Sequence, residues 1–324
     1  MKPRVFITGA TGFVGRHLIK ALSSSGLKVF GSCFPEHPEC CLIPEEANIF
    51  HLDIRRREEL KRVIKDIRPS LVFHLAAVSN VRRSWEDRTG TMEVNFMGTF
   101  NLLEAVRSEA PQARVLFVSS SDVYGVLKPI DRPLQEEDEI KVVNPYAYTK
   151  ASGEMLCQFY NLVKEAEVVI SRSFPHTGPG QSPDFVCSDW AFQLARIERG
   201  EKNPVIEIGN LEIRRDFSDV RDVVRAYLAL MEKGRQGEVY NVCSGRAVPL
   251  DWILKTLVSF SSKTVEIKTD PGKLRKTDIP ILYGDRSKIK KDTGWEPSIS
   301  LEESLRQLLE YWREKLSSGK DSDI

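Results

Sequence analysis

Short apolar runs alternate with amphipathic stretches along the first half of the chain. Runs that are apolar at nearly every position are typical of strands buried on both faces of a parallel sheet, whereas the stretches between them have helical periodicity. Strands are predicted at residues 5–8, 28–33, 49–52, 71–75, 115–119 and 168–172, and helices at 14–24, 57–67, 92–107 and 146–165. Repeated strand–helix units predict an α/β fold with a doubly wound parallel sheet, the Rossmann arrangement.

The pattern changes after residue 173. Residues 174–189 are rich in Gly, Pro and polar side chains, which predicts a long ordered loop of the kind that is often functional. Further helices are predicted at 190–199, 220–233, 250–259 and 301–315, and further strands at 205–208 and 239–242. We expect a dinucleotide-binding domain at 1–173 to which 211–243 return, a smaller interleaved substrate-binding domain at 174–210 and 244–316, and a frayed tail at 317–324.

Composition narrows the class of protein. With 324 residues, 41% of them hydrophobic, the chain can bury a full core, and its net charge of +1 argues against a nucleic-acid partner or a membrane-surface role. No apolar stretch approaches the ~20 residues of a membrane span. The N-terminus enters a predicted strand at once, which leaves no room for a signal peptide, so we expect a cytoplasmic protein. The six cysteines form no C-x-x-C pair and have no histidine at metal-ligand spacing, so neither a metal site nor a disulfide framework is predicted.

Three glycines, Gly9, Gly12 and Gly15, follow the first predicted strand and open the first predicted helix. In this context they are typical of a dinucleotide-binding turn. The first allows the tight turn, the second lets a pyrophosphate approach the backbone, and the third lets the helix pack closely. The helix N-terminus adds amide donors and a positive dipole end. The predicted cofactor is therefore NAD or NADP.

The end of the second strand bears on the choice between NAD and NADP, because an acidic residue there holds the ribose hydroxyls. Here the strand ends in Cys33-Phe34-Pro35, and the missing acid favours NADP. Arg16 is either a contact for the extra phosphate or a solvated helix charge. Asp53, after the third strand, is either an acceptor for the adenine amino group or a cap for the next helix.

A phenol and an ammonium lie one helical turn apart at Tyr146 and Lys150. We expect the lysine to lower the pKa of the tyrosine, which could then exchange a proton with a sugar oxygen during hydride transfer. Tyr148 falls on another helix face and has no lysine four residues later. The run Ser119-Ser120-Ser121-Asp122 follows a strand, where a parallel sheet presents ligand groups, so one of its hydroxyls is expected to hold the substrate oxygen.

These residues, in this order, resemble the extended short-chain dehydrogenase/reductases that act on nucleotide sugars, over about residues 4–313. The resemblance implies that Ser120, three residues before the Val123 of a V-Y-G, is catalytic with Tyr146 and Lys150. It matches Asn95 to the asparagine of a V-N-x-x-G-T motif. The predicted cofactor contacts are Gly9, Thr11, Gly12, Phe13, Val14, Gly15, Asp53, Ile54, Leu75, Ala76, Ala77, Tyr146, Lys150 and His176.

Residues 172–183, 214–222 and 241–245 narrow the resemblance to GDP-4-keto-6-deoxy-D-mannose reductases. Such enzymes reduce the C4 ketone with NAD(P)H to give GDP-D-rhamnose. The resemblance implies that Arg215 and Arg275 clamp the diphosphate, which suits the bidentate geometry of arginine. The predicted substrate contacts are Ser121, Asp122, Arg172, Gln181, Arg215 and Arg275.

Two positions depart from the family pattern. Pro175 stands where the family commonly has an asparagine that touches the sugar diphosphate. Asp122 stands where related 4,6-dehydratases carry a glutamate that removes the C5 proton, and it is one methylene shorter, which favours plain reduction. A GDP-mannose 4,6-dehydratase, a C4 epimerase and a non-enzymatic dinucleotide sensor stay open as alternatives.

The resemblance also implies a homodimer. In that arrangement the helices predicted at 92–107 and 146–165 pair with their mates in a four-helix bundle. The apolar residues on these helices could equally face the sheet, so the sequence leaves both readings open.

Overall fold

The computed structural model describes residues 3–23, 25–35, 47–125, 132–273 and 279–318. Its centre is a seven-stranded sheet in the order β11-β6-β5-β4-β1-β2-β3, in which every neighbouring pair is parallel. Numbered along the chain, these strands are β1 Arg4–Thr8, β2 Lys28–Cys33, β3 Asn48–His51, β4 Leu71–His74, β5 Arg114–Ser120, β6 Glu167–Ser173 and β11 Val239–Val242. The predicted doubly wound α/β fold is confirmed.

Helices cover both faces of this sheet. One face carries α2 (Arg57–Ile67), α5 (Gly98–Glu109) and α6 (Pro145–Leu162), and the other carries α1 (Phe13–Ser23), α8 (Val220–Lys233) and α10 (Ser287–Thr293). In β1, Phe6 packs into the first layer while Val5 and Ile7 pack into the second, and all three are fully buried. Burial on both faces is the reason that the central strands are apolar at consecutive positions.

A smaller unit is built around a third apolar cluster. It joins α7 (Val186–Glu198), α9 (Leu250–Ser259) and α11 (Leu301–Ser317) through side chains such as Trp190 and Trp312. The remaining strands are short: β7 His176–Thr177, β8 Val205–Ile208, β9 Arg214–Arg215, β10 Ser218–Asp219, β12 Val248–Pro249, β13 Glu266–Thr269 and β14 Ile281–Leu282. In sequence, α8 and β11 lie between α7 and α9, but they pack with the large sheet. The two units are therefore interleaved, as the predicted domain boundaries require. The boundaries themselves stay a prediction.

The sequence missed several local features. The helix expected at 92–107 is broken into α4 (Arg88–Met92), a π-helical turn at Glu93–Met97, and α5. A short helix α3 (Val81–Glu86) precedes them, capped by the Asn80 side chain. The loop expected at 174–189 contains β7, which pairs with β10, and ends where α7 begins.

Cysteine chemistry differs in part from the expectation. Cys33, at the end of β2, is disulfide-bonded, which the spacing of the cysteines did not predict. Cys157, Cys187 and Cys243 are free and buried. In the described ranges, no cluster of His, Cys, Asp or Glu is arranged to hold a metal ion, and no helix has the length and apolar character to cross a membrane.

Helix α6 lies unusually close to the sheet because it carries a glycine where it crosses β5. A Cβ atom added at Gly153 would lie 2.5 Å from Cζ of the buried Phe117 ring. The helix begins at Pro145, and the side chain of Asn144 caps it by accepting a hydrogen bond of 2.7 Å from the Ala147 N–H. These contacts fix where the side chains of the first two turns of α6 point.

We predict that Gly153→Val lowers the free energy of unfolding by about 1–3 kcal/mol, because the added methyl groups overpack the contact with Phe117. Gln158→Val, on the exposed side of the same helix, is the control and should change it by no more than about 0.5 kcal/mol. Urea denaturation followed by circular dichroism measures both. Equal effects of the two substitutions would show that close helix–sheet contact is not what requires the glycine.

Candidate active site

The glycine turn connects β1 to α1 and leaves no space for a side chain at Gly9 or Gly15. Gly9 has φ +67°, and a Cβ there would lie 2.9 Å from the backbone nitrogen of Ala76. A Cβ at Gly15 would lie 2.5 Å from the carbonyl oxygens of Gly9 and Ala10. The turn closes through a hydrogen bond of 3.2 Å from the Gly12 N–H to the Gly9 carbonyl. A pyrophosphate can therefore reach the backbone amides at the start of α1, and the residues present fit a dinucleotide.

Arg16 and Asp53 both form contacts within the protein, and their expected contacts with a cofactor stay predictions. The Arg16 guanidinium donates to the carbonyl oxygens of Thr11, at 2.5 Å, and Gly180, at 3.0 Å, so it ties the glycine turn to the loop after β7. Asp53 does not cap α2, whose N-cap residue is Arg56. Both Asp53 oxygens accept hydrogen bonds from the Arg55 side chain. Burial alone would raise the pKa of Asp53, but these bonds hold it below its usual value.

The predicted catalytic residues come together at the carboxyl end of β5. Ser120 is the last residue of that strand, and its hydroxyl lies close enough to Tyr146, at the start of α6, to oppose the rise in the pKa of the phenol. The Lys150 Nζ lies 5.9 Å from the centroid of the Tyr146 ring. Tyr148 is more than half exposed on a different face of α6, as expected.

The pKa of Tyr146 is raised in this geometry, whereas a lowered pKa was expected. Burial raises the pKa of Tyr146, the nearby Asp122 carboxylate raises it further, and the hydrogen bond with Ser120 opposes the rise. The Lys150 ammonium instead donates a hydrogen bond of 2.7 Å to the Val118 carbonyl, and burial lowers its own pKa to about 8. Desolvation therefore outweighs the attraction between the phenolate and the ammonium.

Two predicted substrate contacts are engaged elsewhere. Arg172 is 3% exposed and forms an ion pair of 2.8 Å with Glu154, which is 1% exposed. Its third nitrogen donates to the Glu136 carbonyl at 2.9 Å. The buried Gln181 amide donates to the His176 carbonyl and accepts from the Thr177 hydroxyl. Both side chains are engaged in hydrogen bonds within the protein interior. The predicted substrate roles of Arg172 and Gln181 are corrected for this reason.

His176 and Arg215, two further predicted residues, each contact another part of the protein. His176 stacks on the Phe13 ring of the glycine turn, with the two planes 10° apart and their centroids 6.1 Å apart. Arg215 is half-buried on β9 and donates to the Ile279 carbonyl at 2.6 Å. The Pro175 carbonyl accepts from the Ser218 N–H, so the residue that replaces the family asparagine contributes backbone only. Arg275 lies outside the described residues.

The hydroxyl of Ser121 is buried and has no hydrogen-bond partner in the described part of the chain. A buried polar group without a partner is uncommon, because its desolvation is not compensated. Ser121 follows Ser120 directly in a short 3₁₀ turn. A ligand hydroxyl or carbonyl next to Ser120 would satisfy it.

Sequence reasoning missed the contacts that dock residues 176–181 onto α1. His17 donates a hydrogen bond of 2.8 Å from Nε2 to the Pro179 carbonyl, beside the bond from Arg16 to Gly180. The signal was weak, since each residue alone resembles an ordinary helix-surface side chain. Arg16 and His17 are neighbours on α1, and only the folded structure shows that both donate hydrogen bonds to the loop at 176–181.

Comparison with known proteins agrees with this geometry. The family described as GDP-mannose 4,6 dehydratase matches residues 6–308. The chain belongs to the GDP-mannose 4,6 dehydratase family. Membership confirms the predicted class of enzyme, an NAD(P)-dependent oxidoreductase of short-chain dehydrogenase/reductase type that acts on nucleotide sugars.

Individual relatives of this GDP-mannose 4,6 dehydratase family member differ in activity. The chain is 33% identical over 316 residues to GDP-6-deoxy-D-mannose reductase of Pseudomonas aeruginosa, covering 98% of this chain and 99% of the relative. The structure of RMD from Pseudomonas aeruginosa complexed with NADPH has a TM-score of 0.84 and 31% identity, over 97% of this chain and all of that one. UDP-glucose 4-epimerase of Thermus thermophilus, complexed with NAD, has a TM-score of 0.85 and 25% identity, over 96% of this chain and 99% of that one. NAD and NADP are both cofactors of similar proteins.

We predict that Glu154→Gln lowers the free energy of unfolding by about 3–5 kcal/mol, because it leaves the Arg172 charge buried without a partner. The double variant Glu154→Leu with Arg172→Met removes both charges and should recover most of that loss. Chemical denaturation measures the stabilities. The double variant should also keep the wild-type KM for the nucleotide sugar; a large rise in KM at full stability would restore Arg172 as a substrate contact.

Proposed function

We propose that the protein reduces the C4 ketone of GDP-4-keto-6-deoxy-D-mannose to GDP-D-rhamnose. The observation that carries this proposal is the placement of Ser120, Tyr146 and Lys150 together at the sheet edge that also presents the glycine turn. Tyr146 is a half-buried phenol, and the Lys150 ammonium lies 5.9 Å from the centroid of its ring. The name and full-length similarity of the Pseudomonas reductase support the choice of substrate.

Each catalytic residue has one role in this reaction. NADPH, when bound, supplies the hydride to C4. Tyr146, whose raised pKa keeps the phenol protonated before the reaction, donates its proton to the C4 oxygen as the hydride arrives. Ser120 holds that oxygen by a hydrogen bond. Lys150, whose pKa is about 8, is mostly cationic at neutral pH and stabilises the phenolate that remains until solvent returns the proton.

Three further assignments belong to this proposal. Cys33, Phe34 and Pro35, the described residues at and just after the end of β2, include no acid that would repel the 2′-phosphate, which favours NADPH over NADH. Ser121, with its unsatisfied buried hydroxyl, contacts the sugar. Arg215 and Arg275 hold the diphosphate of a GDP-sugar.

A second candidate is GDP-mannose 4,6-dehydratase activity. The Asp122 charge acts directly on Tyr146, so a carboxylate stands beside the hydride-transfer site. A dehydratase needs such a base to remove the C5 proton after oxidation at C4. The shorter reach of aspartate compared with glutamate ranks this candidate second.

Two assays separate the candidates. The reductase consumes NADPH in equal amount to added GDP-4-keto-6-deoxy-D-mannose, and forms a product that chromatography identifies as GDP-D-rhamnose. The dehydratase converts GDP-mannose with no net change in cofactor absorbance. Turnover of GDP-mannose alone would overturn the reductase proposal, and NADPH binding without turnover of either sugar would favour a sensor.

We predict that Tyr146→Phe lowers kcat by about a hundredfold or more, because the ketone oxygen loses its proton donor. The dissociation constant for NADPH should stay near the wild-type value, since the ring is kept. Tyr148→Phe, two residues away on another face, is the matched control and should leave kcat unchanged. Steady-state kinetics and fluorescence titration measure the two constants; equal kcat values for the Tyr146 and Tyr148 variants would remove Tyr146 from the mechanism.

We also propose that two copies of the chain associate through α6. Tyr148, Met155, Phe159 and Leu162 project from this helix with apolar side chains more than half exposed, and Leu162 reaches 82%. Their spacing of seven, four and three residues places them along one side of the helix. A contiguous apolar stripe of this kind is typical of an interface between chains. This stripe supports the homodimer that the resemblance implies.

We expect Met155→Glu combined with Leu162→Glu to convert the dimer to a monomer, because two charges would be desolvated in each half of the interface. Trp252→Glu, which changes an exposed apolar residue on α9, is the control. Sedimentation velocity measures the mass of each form. A wild-type protein that sediments as a monomer, or a double variant that stays dimeric, would contradict the proposal.

A further inference from the structure

His74 is a buried histidine that the proposed chemistry does not use. It is the last residue of β4, only 2% exposed, and it packs beside the Phe117 ring. Its two ring nitrogens meet two threonines from different elements. Nδ1 lies 2.7 Å from the hydroxyl oxygen of Thr8, and Nε2 lies 2.9 Å from that of Thr99. It therefore joins the strand before the glycine turn to helix α5.

The surrounding hydrogen bonds fix which nitrogen carries the proton. The Thr99 hydroxyl has one hydrogen and donates it to the Asn95 carbonyl at 2.6 Å, so Nε2 must donate to Thr99. In a neutral ring Nδ1 is then an acceptor, and the Thr8 hydroxyl donates to it. The Thr8 oxygen in turn accepts the Ala76 N–H at 3.1 Å. The neutral His74 tautomer with its proton on Nε2 satisfies every donor and acceptor in this series of hydrogen bonds.

The environment keeps that ring neutral. Burial, with a smaller contribution from the nearby Lys150 charge, lowers the pKa of His74 to about 3. A protonated ring would place a hydrogen on Nδ1, and the Thr8 hydroxyl would lose its acceptor. The neutral tautomer is thus the form that the packing selects at neutral pH.

Each end of this series of hydrogen bonds reaches a part of the active site. At one end, the Thr8 hydroxyl accepts from the Ala76 N–H, and Ala76 is the residue that Gly9 contacts in the segment after β4. At the other end, the Asn95 amide donates to the Thr149 hydroxyl at 2.9 Å, and Thr149 donates to the Tyr146 carbonyl at 2.8 Å. The hydrogen bonds therefore run without a break from the cofactor turn to the first turn of α6.

We propose that His74 is a positioning residue, whose Nε2–H tautomer holds the glycine turn and the Tyr146–Lys150 helix at the separation that hydride transfer requires. The inference about hydride transfer rests on the proposed function. The effect on the cofactor turn does not, because it concerns the spacing of Thr8, Gly9 and Ala76 alone. His74 acts only through these neighbours and touches no reacting atom.

Three substitutions test the proposal. His74→Leu removes both hydrogen bonds at similar volume. His74→Gln restores a donor and an acceptor on one side chain. Thr99→Val removes the acceptor for Nε2 together with the hydrogen bond from the Thr99 hydroxyl to the Asn95 carbonyl. Thr293→Val is the matched control, because Thr293 is also buried and also donates to a helix carbonyl, but lies in α10.

We expect His74→Leu and Thr99→Val to raise the dissociation constant for NADPH about tenfold, the usual effect of one lost buried hydrogen bond. In turnover of the keto sugar they should lower kcat about ten- to a hundredfold, with a larger primary isotope effect from NADPH deuterated at the transferred position, because misplacement slows the chemical step. His74→Gln should recover most of both losses, and Thr293→Val should match the wild type. Fluorescence titration and steady-state kinetics, with melting temperatures recorded alongside, provide the readouts.

A purely structural role predicts another outcome. In that case His74→Leu and Thr99→Val melt at lower temperature but keep the wild-type NADPH affinity, kcat and isotope effect, and the proposal is overturned. It is also overturned if His74→Gln is no better than His74→Leu. Should His74→Leu fail to fold, Thr99→Val and His74→Gln decide the question against the wild type. The NADPH titration needs no sugar, so it separates failure of this inference from failure of the proposed function.

Discussion

The contact between Gly9 and Ala76 is the constraint on which the active site depends. The end of β1 and the segment after β4 approach so closely that a single methyl group at Gly9 would collide with the Ala76 nitrogen. This approach brings the glycine turn, the segment 75–77 and the carboxyl end of β5 to one edge of the sheet. A cofactor on the turn and a ketone beside Ser120 can then lie within reach of each other.

Such close packing leaves polar groups in the interior that need partners. His74, Asn95 and Thr99 are all buried, and each is hydrogen-bonded. The π-helical turn at Glu93–Met97 contains Asn95, whose side chain pairs with both backbone groups of Val78 as well as with Thr149. π-Helical turns inside helices are frequent at functional sites. Here the turn lies beside the residues that orient the catalytic helix.

The parts of the site that were predictable from sequence are those in which the chemistry depends on local spacing. The glycine turn needs residues three apart, and the Tyr146–Lys150 pair needs one helical turn, so both are visible in the chain. The prediction that Arg172 contacts the substrate was wrong, because it relied on a family motif and on the charge of the side chain. Its partner, Glu154, lies on α6, and nothing local in the sequence links the two. The expected lowering of the Tyr146 pKa failed for the same reason, because the burial that raises this pKa is a property of the assembled fold.

The sequence by itself determined the doubly wound sheet and the glycine turn, and it singled out Tyr146 as the candidate catalytic phenol, because apolar periodicity and short-range spacing are encoded along the chain. Only the tertiary structure decided which charged groups are paired in the interior, which tautomer His74 adopts, and how residues 176–181 dock on α1. These outcomes depend on atoms from segments far apart in sequence. Desolvation and hydrogen-bond satisfaction act on such atoms only when folding has brought them together.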